Sequence, residues 1–222
     1  MSKRGQGGFD LDADKARALK LTPVSRETER RLDMFVELLL LWQQRFNLVA
    51  SSTLPVVWTR HIADSLQLLP LAPAARVWVD FGSGAGFPGI PVACALADTP
   101  GAMVHLVESV GKKANFLREV VRALALPARV NQERAEKFGE SCAETVHVVT
   151  ARALSPLKIL CHQAFPLIAR GALGLFPKGQ DVDAELTEAA KYWSIQASIV
   201  PSVTSPAGAI IVVRGLKPLR RP

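Results

Sequence analysis

Four glycines and two prolines crowd into VDFGSGAGFPGIPVA, residues 79–93, directly behind a short apolar run. Gly82, Gly84 and Gly86 permit positive φ and let the backbone come close to a ligand. Pro88 and Pro91 suit the first turn of a following helix, where a missing N–H is no loss. The stretch also contains G-x-G-x-x-G at Gly84, Gly86 and Gly89, a pattern associated with dinucleotides. Two features favour another nucleoside. Counted from the strand the glycines are 82, 84 and 86, so the dinucleotide match begins two residues late. Asp80, two residues before the first glycine, would repel a pyrophosphate seated on the helix N-terminus, but it favours a donor bearing a sulfonium and an amino group. The loop therefore points to S-adenosylmethionine, with NAD as the alternative.

Charged residues near the other strand ends could complete such a site. Glu108 ends the second apolar run, where either cofactor class has an acid for ribose hydroxyls. ERAEKF, residues 133–138, follows the third run and could cover an adenine ring with Ala135 and Glu136. Arg152 follows the fourth, where an acceptor should approach; it could hydrogen-bond that acceptor or the donor's carboxylate, positioning rather than moving protons. His61 and Asp64, three apart, should share a helix face and could pair there. Lys112, Lys113, Arg118 and Arg122 follow Glu108 and could form a phosphate-contacting stripe, although a solvated helix face explains them equally well.

Positioning these groups takes alternating strands and helices. Short β-branched runs read as strands at 76–81, 103–108, 128–131, 146–150, 172–177, 195–200 and 209–214. Helical patterns fall at about 89–97, 111–124, 156–169 and 181–193. This rhythm predicts an α/β fold: a doubly wound, mostly parallel, Rossmann-like seven-stranded sheet with helices on both faces. The last two strands are joined only by PSVTSPAG, too short for a crossover, so the last should run antiparallel. Ahead of the sheet, apolar positions Leu32, Phe35, Val36, Leu39 and Leu40 predict a helix over 25–47, and Thr53 could cap a second helix running to about 69. The division expected is a loose arm at 1–21 that could be partly helical from Asp12 to Leu19, a helical segment packed on the main domain at 22–72, and a cofactor-binding domain at 73–222.

Composition narrows the partners. A net charge of +7 and a pI near 9.7 favour nucleic acid, with Arg214, Lys217, Arg220 and Arg221 crowding the C-terminus. The first twenty residues lack an apolar core, so a secretory signal is not expected, and no run is long enough to span a bilayer. A cytoplasmic protein without membrane contact is the expectation. Cys94, Cys142 and Cys161 are widely spaced, which predicts buried thiols rather than disulfides or a metal site. Trp42, Trp58, Trp78 and Trp193 are too scattered in sequence for a base-stacking platform.

HIADSL at 61–66, DFGSGAGFPGIPVA at 80–93, ESVGKKANFL at 108–117, RAE at 134–136 and VVTARAL at 148–154 occur in the order seen in one bacterial family. Over about residues 25–215 the chain resembles the small-subunit ribosomal RNA guanine-N7 methyltransferases, also called glucose-inhibited division protein B. The resemblance implies cofactor contacts at Gly82, Phe87, Glu108, Ala135 and Glu136, and a role for Arg152. It also implies methylation at N7 of a guanine in the 530 loop of 16S rRNA, free or in the 30S subunit, by an enzyme expected to be a monomer with no obligate protein partner. Glu108 departs from the family's usual aspartate, and residues 1–20 match no motif. The chemistry is consistent: TARALSPL stands where amine methylases often have [DNS]-P-P-[YFW], and no Pro-Cys nucleophile is present, leaving N7 or an oxygen as acceptor. N7 already carries a lone pair, so no general base is expected. The alternatives are the same fold acting on another acceptor, or a non-catalytic RNA-binding assembly factor.

Overall fold

The computed structural model describes residues 10–219. The apolar runs become β1 (Val77–Phe81), β2 (Met103–Val107), β3 (Ala128–Asn131), β4 (Val148–Ala151), β5 (Leu173–Lys178), β6 (Trp193–Pro201) and β7 (Ala209–Pro218). They form one sheet in the order β3-β2-β1-β4-β5-β7-β6. The first five are parallel, and β7 lies antiparallel to both β5 and β6. The single reversed strand is the one expected from the short PSVTSPAG connection.

Both faces are covered. On one, α2 (Arg26–Gln43), α4 (Gly89–Leu96) and α5 (Gly111–Ala123) bury Leu32, Phe35, Leu39, Val92 and Phe116 in a single cluster with Leu106 of β2. On the other, α6 (Ala135–Ser141), α7 (Leu157–Ile168) and α8 (Val182–Ala190) close over Val79, Val149 and Phe176. All three cysteines are buried and unpaired. Trp58, Trp78 and Trp193 are buried as well.

Register is what gathers the site. Phe81 pairs with Val107 on one side and Ala151 on the other. The residues that follow these three are Gly82, Glu108 and Arg152, so they leave the sheet side by side at its carboxyl edge. The dispersed sequence positions thus become neighbours through parallel pairing alone, at the edge where such sheets bind ligands.

The N-terminal part differs from expectation in three places. Residues 1–9, like Arg220 and Arg221, lie outside the described residues, but from Leu11 the expected loose arm is a docked helix, α1 (Leu11–Leu21). Its Asp14 is 1% exposed and accepts hydrogen bonds from Trp58 N (2.9 Å), Thr59 N (3.2 Å) and Thr59 Oγ1 (2.5 Å). The helix expected over 25–47 stops at Gln43, because the Gln43 amide caps the next turn, accepting from Leu48 N and Val49 N and donating to Val49 O. Thr53 caps nothing: it lies inside a 3-10 turn, Ser51–Val56, followed by a π-helical turn, Trp58–Ala63, and a short α3 (Asp64–Leu66). Pro55 has no N–H, and Asp14 takes those of Trp58 and Thr59, so a regular α-helix cannot form through this stretch.

Asp14 is therefore a tertiary cap for a broken helix. Asp14→Ala would leave two inward-facing amides without a partner, and should lower unfolding free energy by about 2–3 kcal/mol. Urea denaturation measures this; an unchanged midpoint would mean that water or a shifted α1 replaces the carboxylate.

Candidate active site

The glycine loop arches over the carboxyl end of β1 in a conformation open to few other residues. Gly82, Gly84 and Gly86 take φ of +64°, +57° and +94°. A Cβ on Gly82 would lie 2.5 Å from Leu154 Cδ1, and one on Gly86 would lie 2.6 Å from Ile90 Cγ1. The loop is held from inside by Ser83, whose N–H donates to Val107 O and whose carbonyl accepts from Gly86 N at 2.7 Å. Glu108, only 6% exposed, accepts from Gly84 N (2.9 Å) and Val110 N (2.7 Å), so the acid after β2 braces the loop after β1.

Asp80 is placed differently from expectation. It is fully buried beneath the loop and does not reach the cleft wall. Its Oδ2 accepts from Gly89 N at 3.0 Å, at the start of α4, and its Oδ1 has no hydrogen-bond partner among the described residues. Burial raises its pKa to about 7 against the pull of the Gly89 bond. The residue can act on a bound cation through its field and through the loop it supports, not by lining the site.

A cleft of about 880 Å³ opens above this loop, walled by Gly82–Ala85, Phe87, His61, Asp64, Lys113 and Arg152, among others. Arg152 is its organising side chain. Nη1 donates to Asp64 Oδ2 (3.2 Å) and to the Arg60 carbonyl (3.1 Å), while Nη2 donates to His61 Nδ1 (2.6 Å). The guanidinium also lies 5.2 Å from the centre of the Phe87 ring, on which His61 stacks at 4.8 Å. Because a guanidinium only donates, His61 Nδ1 must accept, and Nε2 is left to donate to Thr53 Oγ1 at 2.9 Å. Burial, then Arg152 and Arg60, push the His61 pKa down to about 3, so the ring is a fixed neutral tautomer. Asp64 Oδ1 in turn accepts from Thr204 Oγ1 (2.7 Å) and Gln67 Nε2 (2.9 Å).

The expected residues thus divide. Gly82, Gly84, Phe87, His61, Asp64, Lys113 and Arg152 line the cleft. Gly86 lies below it, and Ala135 and Glu136 stand at the start of α6, where Glu136 accepts from Gln163 Nε2 at 2.8 Å. His61 and Asp64 do not bond each other; both bond Arg152, since the π-helical turn ending at Ala63 alters their spacing. The basic residues of α5 form no single stripe. Lys113 faces the cleft, Lys112 covers the Phe46 ring, and Arg118 is tied outside to Asn115 and Gln132. Sequence reading missed Thr53, Gln67 and Thr204. Gln67 was signalled by its spacing of three from Asp64, whereas nothing near Thr204 announces a partner 140 residues away. Among the described residues no group of three or more His, Cys, Asp or Glu could hold a metal ion.

The positive-φ loop, the space that a Gly82 side chain would close and the buried acids behind it fit a nucleoside donor that carries positive charge. Fold and glycine loop define a Rossmann-like nucleoside-binding protein, and the family match makes it an S-adenosylmethionine-dependent class I methyltransferase, which removes the NAD alternative. The fold is shared with an O-methyltransferase from Bacillus cereus in complex with SAH (TM-score 0.58, 12% identical, covering 92% of this chain and 99% of that one). It is shared too with a putative O-methyltransferase from Klebsiella pneumoniae (TM-score 0.57, 13% identical, covering 91% and 96%). Residues 28–211 match the family model described as rRNA small subunit methyltransferase G, and the chain belongs to that family. Its similar relatives include the proteins named ribosomal RNA small subunit methyltransferase G of Bradyrhizobium sp. strain ORS 278, 57% identical over 204 residues and 92% of each chain, and of Rhodopseudomonas palustris strain BisB18, 54% identical over 94% of this chain and 89% of that one.

Proposed function

We propose that the protein methylates N7 of a guanine in the 530 loop of 16S rRNA. Beyond family membership, one observation supports this acceptor: the two side chains that could serve as a base beside Arg152, His61 and Asp64, are already engaged. His61 has both ring nitrogens engaged, and both oxygens of Asp64 are bonded. An acceptor that must lose a proton before attack is poorly served there, whereas guanine N7 presents its lone pair already. S-adenosylmethionine, when bound, supplies an electrophilic methyl group on a sulfonium.

The chain's own residues then orient and desolvate. Backbone groups of Gly82 to Gly86 and the Glu108 carboxylate hold the nucleoside, with Ala135 and Glu136 at the adenine end. Phe87 and His61 exclude water beneath the acceptor. Arg152 retains N–H groups beyond those bonded to Asp64, Arg60 and His61, and these are suited to guanine O6, beside N7. Cytoplasmic action follows from the substrate, and no helix among the described residues is long and apolar enough to cross a membrane. The mechanism calls for no second copy of the chain.

The decisive experiment maps N7-methylguanine in 16S rRNA from cells lacking the gene, with and without the gene restored. One site should lose and regain the mark; an unchanged pattern would overturn the reading. A second expectation concerns pH. Asp80 is protonated below about 7 and a carboxylate above it, and the carboxylate favours a cationic donor. Cofactor affinity should therefore rise as pH increases through 7, and Asp80→Asn should flatten that rise, whereas His61, titrating near 3, adds no step between about pH 5 and 9. Calorimetric titration across that range checks both. In the unliganded protein the raised Asp80 pKa has the opposite consequence: folding stability falls as pH climbs from the ordinary carboxylate range toward 7.

A further inference from the structure

Beside the cleft, between the end of α2 and the start of α5, lies an aromatic side chain that the mechanism above does not use. Phe46 is 36% exposed. Its ring packs on Trp42 at 5.5 Å, and Trp42 packs at 5.4 Å on Phe116, which is wholly buried, so the exposed ring is anchored to the core through a row of aromatics. The turn that carries it is pinned by the Gln43 side chain, and its next residues, Leu48, Val49 and Ala50, form a wall of the cleft.

One cation lies against this ring and two more are its neighbours in the chain or on α5: Lys112 Nζ is 5.6 Å from its centre, Lys113 follows Lys112 and lines the cleft, and exposed Arg45 precedes Phe46. None of the three makes an ion pair among the described residues. Among the other cations at the cleft, Arg152 is bound to Asp64 and Lys178 to Glu185, while Arg60 makes no ion pair among the described residues. Uncommitted positive charge is thus found around an exposed, rigidly held aromatic ring at the cleft's margin.

We propose that Phe46, with Lys112, Lys113 and Arg45, is a docking platform for single-stranded RNA next to the target nucleotide. A flanking base stacks on Phe46, and the cations take the adjoining phosphates. Lys112 gives up its exposed ring contact for a phosphate. Unstacked loop bases are what proteins recognise in RNA, and aromatic stacking with cation contacts is the sequence-tolerant way to hold them. The inference rests on the rRNA methyltransferase reading, because it takes RNA as the acceptor. Trp42 and Phe46, four apart, are local neighbours, whereas the buried Phe116 beneath Trp42 comes from a distant helix and gives no signal in the spacing.

The test uses the full chain with two probes, 30S subunits from cells lacking the gene and a synthetic 16S rRNA fragment carrying the 530 loop. Phe46→Ala should weaken RNA binding about tenfold, and Phe46→Tyr should retain it. Lys112→Gln and Lys113→Gln should each lower the slope of log K against log salt by about 0.7. S-adenosylmethionine affinity and melting temperature should stay as in the parent for Phe46→Ala. Unchanged RNA affinity in Phe46→Ala, unchanged salt slopes in both lysine variants, or a parallel loss of cofactor binding and melting temperature would each overturn the platform. If the parent binds RNA with these sensitivities yet leaves N7 unmethylated, the proposed reaction falls and the platform stands. If the parent binds neither probe, both fall.

Discussion

Replacing Arg152 by alanine should reduce the turnover number for 16S rRNA methylation by about 100-fold, the size of loss expected when a reacting pair is held out of line. Three acceptors from one contiguous stretch, residues 60–64, converge on this guanidinium, and a lysine ammonium, lacking the planar fork, cannot reproduce that geometry. Arg152→Lys should therefore recover only part of the rate. Single-turnover kinetics with saturating cofactor separates the two possible duties of the residue. A fall in rate with unchanged S-adenosylmethionine affinity means that Arg152 positions the acceptor. A parallel fall in cofactor affinity reassigns it to the donor's carboxylate, and full activity removes it from the site altogether. The variant also strands Asp64, whose side chain is 13% exposed, and should lose about 2–4 kcal/mol of stability, near the lower end expected for breaking a buried pair. Asp64→Asn in the same background should restore part of that stability without restoring the rate.

Gly89→Ala should be the most damaging small substitution in the loop, although its backbone is not in the left-handed region. A Cβ there would meet Leu106 Cδ2 and stand 2.7 Å from Asp80 Oδ2, the acceptor of Gly89's own N–H. Neither neighbour has room to retreat, since Asp80 and Leu106 are fully buried. Overpacking and a stretched bond to a buried carboxyl together should cost about 3–5 kcal/mol. Cofactor affinity should fall with stability, because the start of α4 and the loop above it shift as one body. Thermal unfolding and calorimetry on the same preparation test this; a stable protein with parental cofactor affinity would show that Asp80 is not a strut. Gly84→Ala offers a contrast: its Cβ meets only the Gly82 carbonyl, at 3.6 Å, so only the positive φ opposes it.

Much of the fold was legible because its signals are local. Val77–Phe81 is β-branched and aromatic, a glycine loop follows it, and each later strand is separated from the next by a helix-length segment. The short link at 201–208 even dictated which strand would be reversed. The site was legible where parallel register converts strand ends into neighbours, as for Gly82, Glu108 and Arg152. What escaped is non-local. Asp14 caps amides at Trp58 and Thr59, so a stretch with good helical periodicity became a broken helix, and an arm without motifs became a docked one. Asp80 was read as a charge facing the donor, but its nearest backbone donor is Gly89 N, a contact nine residues along the chain that the turn's path alone determines. Thr204 carries no sequence signal at all, since its meaning depends on Asp64 at the other end of the chain.

The Thr204 bond also bears on when the protein first becomes competent. Its hydroxyl, in the link between β6 and β7, holds the carboxylate that holds Arg152. β7 inserts between β5 and β6, so the link cannot settle until β7 has joined the sheet. A chain still being translated has its glycine loop and α5, but an arginine without its brace. A chain truncated after β5 should therefore lack this brace and be inert toward 16S rRNA.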